Sequence, residues 1–508
     1  MIKSIIGIIF FFGIGFFSQI NPVFFSTSNI LLPLPVSFQN NDTIKDTTEY
    51  VIHALIPTFL GNSQRNFYGS EPPSTLNLIW KLWLGEGETI ISRKLGSRIW
   101  AGAGWTGQPL LILENDKKYL IQGAYDHHLK KINANTGKVV WEYKFDDVVK
   151  GTGTFWINNY TDCEEEKYII LQGSRLGVGN YLDSKHIPSY RAISFLTGKE
   201  LWRLDSKWTD SYSRDVDGSA LIINDTVYIG LENSLFTVFD ANPQEASIKN
   251  GMLQPKIIQE LKLYKPEDVI RHKYNVVTES SPSLLDNKIY IASGSGRVFA
   301  YDLIKRDLDW EFFVGSDIDG SAIVTNDSSI LVSVEKQYIS GNGGVLKLDP
   351  YKNGNDAVIW YFPTGNIEFS SWEGGVIGSV SINDIYSGHH KKKLAAFAGI
   401  DGFLYVVDHQ EVLNDSLVPG PDSLTLYQTP RLIFKDYIGP SISTPIIFDH
   451  KLIVPGYNGI RLYHYDDSLR FKLIDKMAGP FEATPIVDNR KIYIASRDGY
   501  LYCLGEKD

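Results

Sequence analysis

The feature that most constrains this chain is a phrase repeated along its length. Ile289–Leu303 reads IYIASGSGRVFAYDL, and far downstream Ile492–Gly505 reads IYIASRDGYLYCLG. Related phrases start at Lys118, Lys167, Val227, Ile330, Ala396 and Leu452, which makes eight copies. Each is an apolar run, a turn of Gly, Asp, Asn or Ser, and a second alternating run. That is the pattern of a β-hairpin whose turn needs residues tolerant of positive φ.

More strands flank the hairpins. ESSPSLLDNKIY (Glu279–Tyr290) matches EATPIVDNRKIY (Glu482–Tyr493), and DGSALIINDTVY (Asp217–Tyr228) matches DGSAIVTNDSSI (Asp319–Ile330). These are short strands that precede a hairpin and end in an Asp/Asn turn. A fourth strand follows, as in TGKVVW and TGKELW. A lone four-stranded sheet leaves both faces bare, whereas copies stacked around an axis bury them against one another. The pattern predicts an all-β, eight-bladed β-propeller of four-stranded antiparallel blades over residues 60–508. The last hairpin ends at Leu504 without an outer strand, and NLIWKLWLG (Asn77–Gly85) carries that strand's pattern. An N-terminal strand is therefore expected to close the last blade and remove a bare sheet edge.

The hydrophobic fraction of 43% suffices for a large core, and the net charge of −10 without a Lys/Arg-rich run argues against nucleic-acid binding. Cys163 and Cys503 are the two cysteines, which excludes a disulfide framework and reads as two separate thiols. Residues 1–18 hold Lys3 and an apolar run from Ser4 to Phe17, the pattern of a signal peptide or membrane anchor. Residues 19–59 read as a linker. The body is expected in the periplasm or outside the cell, with membrane contact only through that N-terminal segment.

At TGKVVW and TGKELW the chain resembles the quinoprotein-type eight-bladed propellers, which include pyrroloquinoline-quinone (PQQ) alcohol dehydrogenases and an outer-membrane assembly scaffold. The resemblance implies tryptophans docking between blades, at Trp80, Trp141, Trp202, Trp310 and Trp360, with Phe434 a substitute in one blade that lacks the indole. In the dehydrogenases it also implies PQQ under a vicinal disulfide, a Ca²⁺ ion and an aspartate base. This chain has no adjacent cysteines and no C-x-x-C-H haem site, and the catalytic aspartate and calcium ligands do not map residue by residue. The expectation is an exported, non-catalytic binding or scaffold propeller without a cofactor, whose partners are envelope proteins or a small ligand at a propeller face. A PQQ- and Ca²⁺-dependent dehydrogenase of alcohols or sugars stands as the alternative. The inserts Pro243–Val269 and His409–Pro430 would supply a docking face.

One register carries charge. Aligned on the Ser/Thr-Pro or Ser-Ala step of the innermost strands, the same position holds Asp217, Glu279, Asp319 and Glu482. Other blades hold Thr106, Thr152, Ile377 and Ile442 there. Equivalent positions around a propeller axis form a ring, so the four carboxylates are expected at one channel mouth, supported by Arg214, as a ligand or cation site. Oxygen ligands of this kind suit Ca²⁺.

Overall fold

The computed structural model describes residues 52–92, 95–176, 188–388 and 391–507. The expected signal or anchor at 1–18 and the linker up to residue 51 lie outside the described residues. The described chain is an eight-bladed β-propeller of antiparallel sheets. Its innermost strands are Leu110–Glu114, Thr154–Ile157, Leu221–Ile223, Ser283–Leu285, Ile323–Val324, Ser381–Ile382, Ile446–Ile447 and Ile486–Asp488, which number blades 1 to 8. Blade 8 is completed by Leu78–Trp83, antiparallel to Tyr500–Gly505, with Trp80 opposite Cys503. Cys163, exposed, and Cys503, buried, are not joined in a disulfide.

The core lies between blades. Leu110, Ile121 and Leu129 of blade 1 pack with Phe155, Ile170 and Ile193 of blade 2. Val298 and Ala300 of blade 4 likewise pack with Val332 and Leu346 of blade 5. The strands alternate, and each blade spends both faces on its neighbours.

The outer strands share a device. Each carries a register shift at the same place, and the residue beside it is Trp141, Trp202, Trp310, Trp360 or Trp80 in five blades. Every one of these indoles donates its N–H to a carbonyl of the next blade: Trp80 to Ala134 at 3.0 Å, Trp141 to Phe195 at 3.0 Å, Trp202 to Ala241 at 2.8 Å, Trp310 to Lys352 at 2.7 Å and Trp360 to His409 at 3.0 Å. The bulge twists the strand and aims the side chain sideways. Blade 3 has Gln259 at this position, opposite Val238, and its amide donates to Arg306 of blade 4 at 2.9 Å. Blade 6 has Phe434, stacked on Phe471 of blade 7 with centroids 4.6 Å apart.

The Thr-Gly-Lys turns belong to the same contact. Gly137 and Gly198 have φ of +69° and +73°, and a Cβ there would stand 2.8 Å from the Trp80 ring and 2.9 Å from the Trp141 ring. Only glycine meets both demands, a left-handed backbone and an indole laid against it.

Residues 52–70 close one end of the channel. Ile52–Ile56 pairs with the innermost strand of blade 1. Phe155 N of blade 2 donates to Pro57 O, Leu284 N of blade 4 to Ser63 O, and Val324 N of blade 5 to Gln64 O. Ile382 N of blade 6 donates to Tyr68 Oη at 2.8 Å, Phe448 of blade 7 meets the Tyr68 ring edge-on, and Ser70 N donates to Val487 O of blade 8. Arg65 is wholly buried and donates to Pro282 O at 2.8 Å, Phe59 O at 2.8 Å, Thr58 Oγ1 at 2.7 Å, Ser219 O at 3.2 Å and Ala220 O at 3.3 Å. The linker boundary expected at residue 59 runs through this plug, since residues 52–58 already bond to blades 1, 2 and 3.

Candidate functional site

The site is set by a belt of hydroxyls where the innermost strands begin. Ser219 N donates to Ser281 Oγ at 2.9 Å, Ser281 N to Ser321 Oγ at 2.8 Å, Ser321 N to Ser379 Oγ at 2.9 Å, and Ser379 N to Thr444 Oγ1 at 3.0 Å. Blades 3 to 7 are thus pinned in register, each to the next. The plug bonds on the strand side of this belt. On the other side, two residues upstream of each belt hydroxyl, lie Asp217, Glu279, Asp319, Ile377 and Ile442, with Glu482 equivalent before Thr484. The ring register of the sequence therefore has a physical cause, the strand-to-strand belt.

A cavity of about 660 Å³ fills this mouth. Glu279, Asp319, Ile377, Ile442 and Glu482 line it, and Asp217 lies buried behind Lys150, which lines it too. The four carboxylates do not form one open ring. Lys150 Nζ pairs with Asp217 Oδ2 and stands 3.8 Å from Glu279 Oε1. Asp319 groups with Asp317 and Glu335, and Glu482 is held by Arg497 through contacts of 3.0 and 2.9 Å. Arg214 lies outside the lining of this cavity, and its guanidinium stacks on Trp208, 3.4 Å from the ring centroid.

Two triads result. In Asp217, Glu232 and Glu279, and again in Asp317, Asp319 and Glu335, the carboxylate oxygens lie within 4.8 Å of one another. Burial pushes Glu279 up to about 7, opposed by Lys150 and reinforced by Asp217 and Asp215. Burial first, then the neighbouring carboxylates, raises Glu232, Asp317, Asp319 and Glu335 well above the usual carboxylate range. Burial works against the charge on Lys150, but Asp217, Glu279 and Glu232 outweigh it and hold the ammonium firmly protonated.

The facing wall is aromatic. Trp105 packs with Ile377, Ile400 and Ile442, beside Phe369, Trp372 and Tyr457. Trp100 comes from a hairpin, Glu86–Ser92 with Gly96–Ala101, that reaches over the mouth. The guanidinium carbons of Arg175 and Arg497 lie 5.6 and 5.4 Å from its ring centroid. Arg175 in turn pairs with Asp215 at 3.0 Å.

Lys150, Glu232, Asp317, Glu335, Arg175 and Arg497 were not among the residues expected from sequence. Two signals point to all of them but Lys150 in retrospect. SRDVDGS and SDIDGS place Asp215 and Asp317 two residues before Asp217 and Asp319, on the same side of an extended chain. Tyr125, Arg175, Glu232, Glu335 and Arg497 all stand one or two residues past the end of the second strand of their blades. That register forms a second circle above the first.

A family model described as outer membrane protein assembly factor BamB matches residues 85–360, more than half of the chain. The chain belongs to that family. Comparison with curated protein sequences finds no match. Among solved structures, the propeller is similar to BamB from Moraxella catarrhalis, at 14% identity over 76% of this chain and 94% of that one, with a TM-score of 0.49. It is also similar to the quinohemoprotein alcohol dehydrogenase from Comamonas testosteroni, at 13% identity over 89% of this chain and 81% of that one, with a TM-score of 0.56. The likeness to the dehydrogenase shows a shared fold. Among the described residues no helix is long and apolar enough to cross a membrane.

Proposed function

We propose that this BamB-family propeller is an exported, non-catalytic binding module of the cell envelope, with its ligand or partner received at the open mouth. The observation that carries the reading is the donor set of the cup. Pyrroloquinoline quinone is a polycarboxylate, and a site for it needs uncommitted cations. Here Lys150 is paired with Asp217, Arg175 with Asp215 and Arg497 with Glu482. The other charged groups of the wall, Glu279, Asp317, Asp319, Glu335 and Glu482, are all acidic, and no vicinal cysteines exist to cover a quinone. These residues do not fit that cofactor.

Family membership supports protein contacts as well. The blade 6 hairpin, Phe403–Pro419 with Leu426–Tyr437, overreaches its sheet and presents Leu417, Leu424 and Leu426 to solvent. An exposed apolar arm of this kind suits an envelope protein partner. The test is twofold. Tagged protein is expected to fractionate with the envelope and to retain a defined partner through washing. Purified protein given PQQ, Ca²⁺ and alcohols or sugars is expected to reduce no dye; sustained turnover would overthrow the reading.

A further inference from the structure

We propose that the mouth cup binds a small organic cation of the polyamine type, its ammonium on Asp317, Asp319 and Glu335 and its hydrocarbon body against the facing aromatic wall. This rests on the binding reading above and specifies its ligand.

The protein contains its own template for the interaction. In the first triad a primary ammonium, Lys150 Nζ, sits among Asp217, Glu232 and Glu279. Two members of the second triad repeat the first: Asp319 occupies the register of Asp217, and Glu335 follows the second strand of blade 5 as Glu232 follows that of blade 3, while Asp317 takes the third place that Glu279 of the next blade fills in the first. In both, the oxygens lie within 4.8 Å of one another. Among the described residues, however, no lysine or arginine forms an ion pair with Asp317, Asp319 or Glu335. Asp317 is 5% exposed and lines the cavity; its Oδ2 accepts from Asn275 at 2.8 Å, while its Oδ1 is buried without a partner. A buried carboxylate short of donors is costly, and Asp317, Asp319 and Glu335 all line the cavity, where the donors of a ligand would offset that cost.

The shape of the cup selects an organic cation over a bare ion. About 660 Å³ is in the range of small-molecule sites and far exceeds one metal ion. Ca²⁺ would use oxygen ligands alone and leave Trp105, Trp372, Phe369 and Tyr457 without a role. Aromatic faces opposite carboxylates suit a methylene chain bearing ammonium groups, through apolar contact and cation–π attraction. The plug of residues 52–70 closes the far end, so the cup is blind.

Protonation adds a signature. Asp319 and Glu335 hydrogen-bond to each other, and both feel Glu279; Lys150 acts on Asp319 and Glu373 on Glu335. An incoming ammonium displaces a proton from this group, so binding releases protons and tightens as pH rises.

The experiment is calorimetric titration of the whole protein with spermidine, at about pH 6 and about pH 8, in buffers of different ionisation heat. Saturable binding, stronger at the higher pH and with proton release, is expected. Asp319→Asn/Glu335→Gln should weaken it by about tenfold or more, the loss of a charge-assisted contact, and Trp372→Ala by a smaller factor. Asn and Gln mimic the protonated acids, so the double variant should keep the wild-type circular-dichroism spectrum. Absence of saturable heat at both pH values overturns the proposal. So does binding indifferent to the double substitution, or Ca²⁺ binding that excludes spermidine at equal ionic strength. Envelope partner capture is scored separately, so a failure here leaves the binding reading standing.

Discussion

Arg497 holds Glu482 with one guanidinium nitrogen against both carboxylate oxygens, at 3.0 and 2.9 Å. The pair withdraws Glu482 from the acidic side of the mouth and places a cation between the rings of Trp100 and Tyr125, 5.4 and 5.0 Å from their centroids. Arg497→Ala leaves Glu482, 6% exposed, without its counter-charge. The expected loss is about 3 kcal/mol in urea denaturation. Adding Glu482→Gln should recover part of it, and no recovery would show that the loss comes from packing on Trp100.

Stability should fall as pH rises through the neutral range. Glu279 moves from its ordinary 4.5 to about 7 on folding, and Asp319 and Glu335 are raised in the same direction by burial and neighbouring carboxylates. The folded state therefore binds more protons than the unfolded state, which makes the slope of unfolding free energy against pH negative. The contribution of Glu279 is complete below about 4.5 and is lost by about 7. Melting temperatures across that window should decline in the wild type and decline less steeply in Asp319→Asn/Glu335→Gln, which keeps Glu279. A rising wild-type curve would contradict the upward shift of these buried carboxyls.

The bulge register predicts unequal costs at equivalent positions. Trp202 is 1% exposed and bridges to Ala241, so Trp202→Ala should cost about 3–5 kcal/mol. Gln259 makes the corresponding bridge to Arg306 from a more open site, so Gln259→Ala should cost about 1 kcal/mol. Equal losses in chemical denaturation would mean that the bridge, and not the buried indole, joins the blades.

The plug should be integral to the ring. Arg65→Met keeps much of the side-chain volume but orphans the acceptors Pro282 O, Phe59 O and Ser219 O. Each buried acceptor left without a partner costs about 1–3 kcal/mol. A strong drop in melting temperature is expected, with proteolysis beginning inside residues 52–70. Arg65→Lys should rescue little, because a single ammonium cannot span the acceptors that a planar guanidinium reaches.

The architecture was legible in the residues alone because its causes are local and repeated. Period-two alternation and Asp/Asn/Gly turns specify a four-stranded blade. Eight copies specify a ring, and the pattern around Trp80 already named the strand that closes it. The acidic register was legible for the same reason, since each position is set by its own blade. How the charges of different blades meet was decided only by closure of the ring. Lys150 meets Asp217 and Glu279 across blade boundaries. Gln259 does the work of an indole in a register where no tryptophan marks it. Residues 52–70 match no repeat, and their role as a plug follows from contacts with strands spread along the whole chain. Such pairings join residues distant in sequence, and electrostatic and packing energies depend on separations that only the folded ring defines.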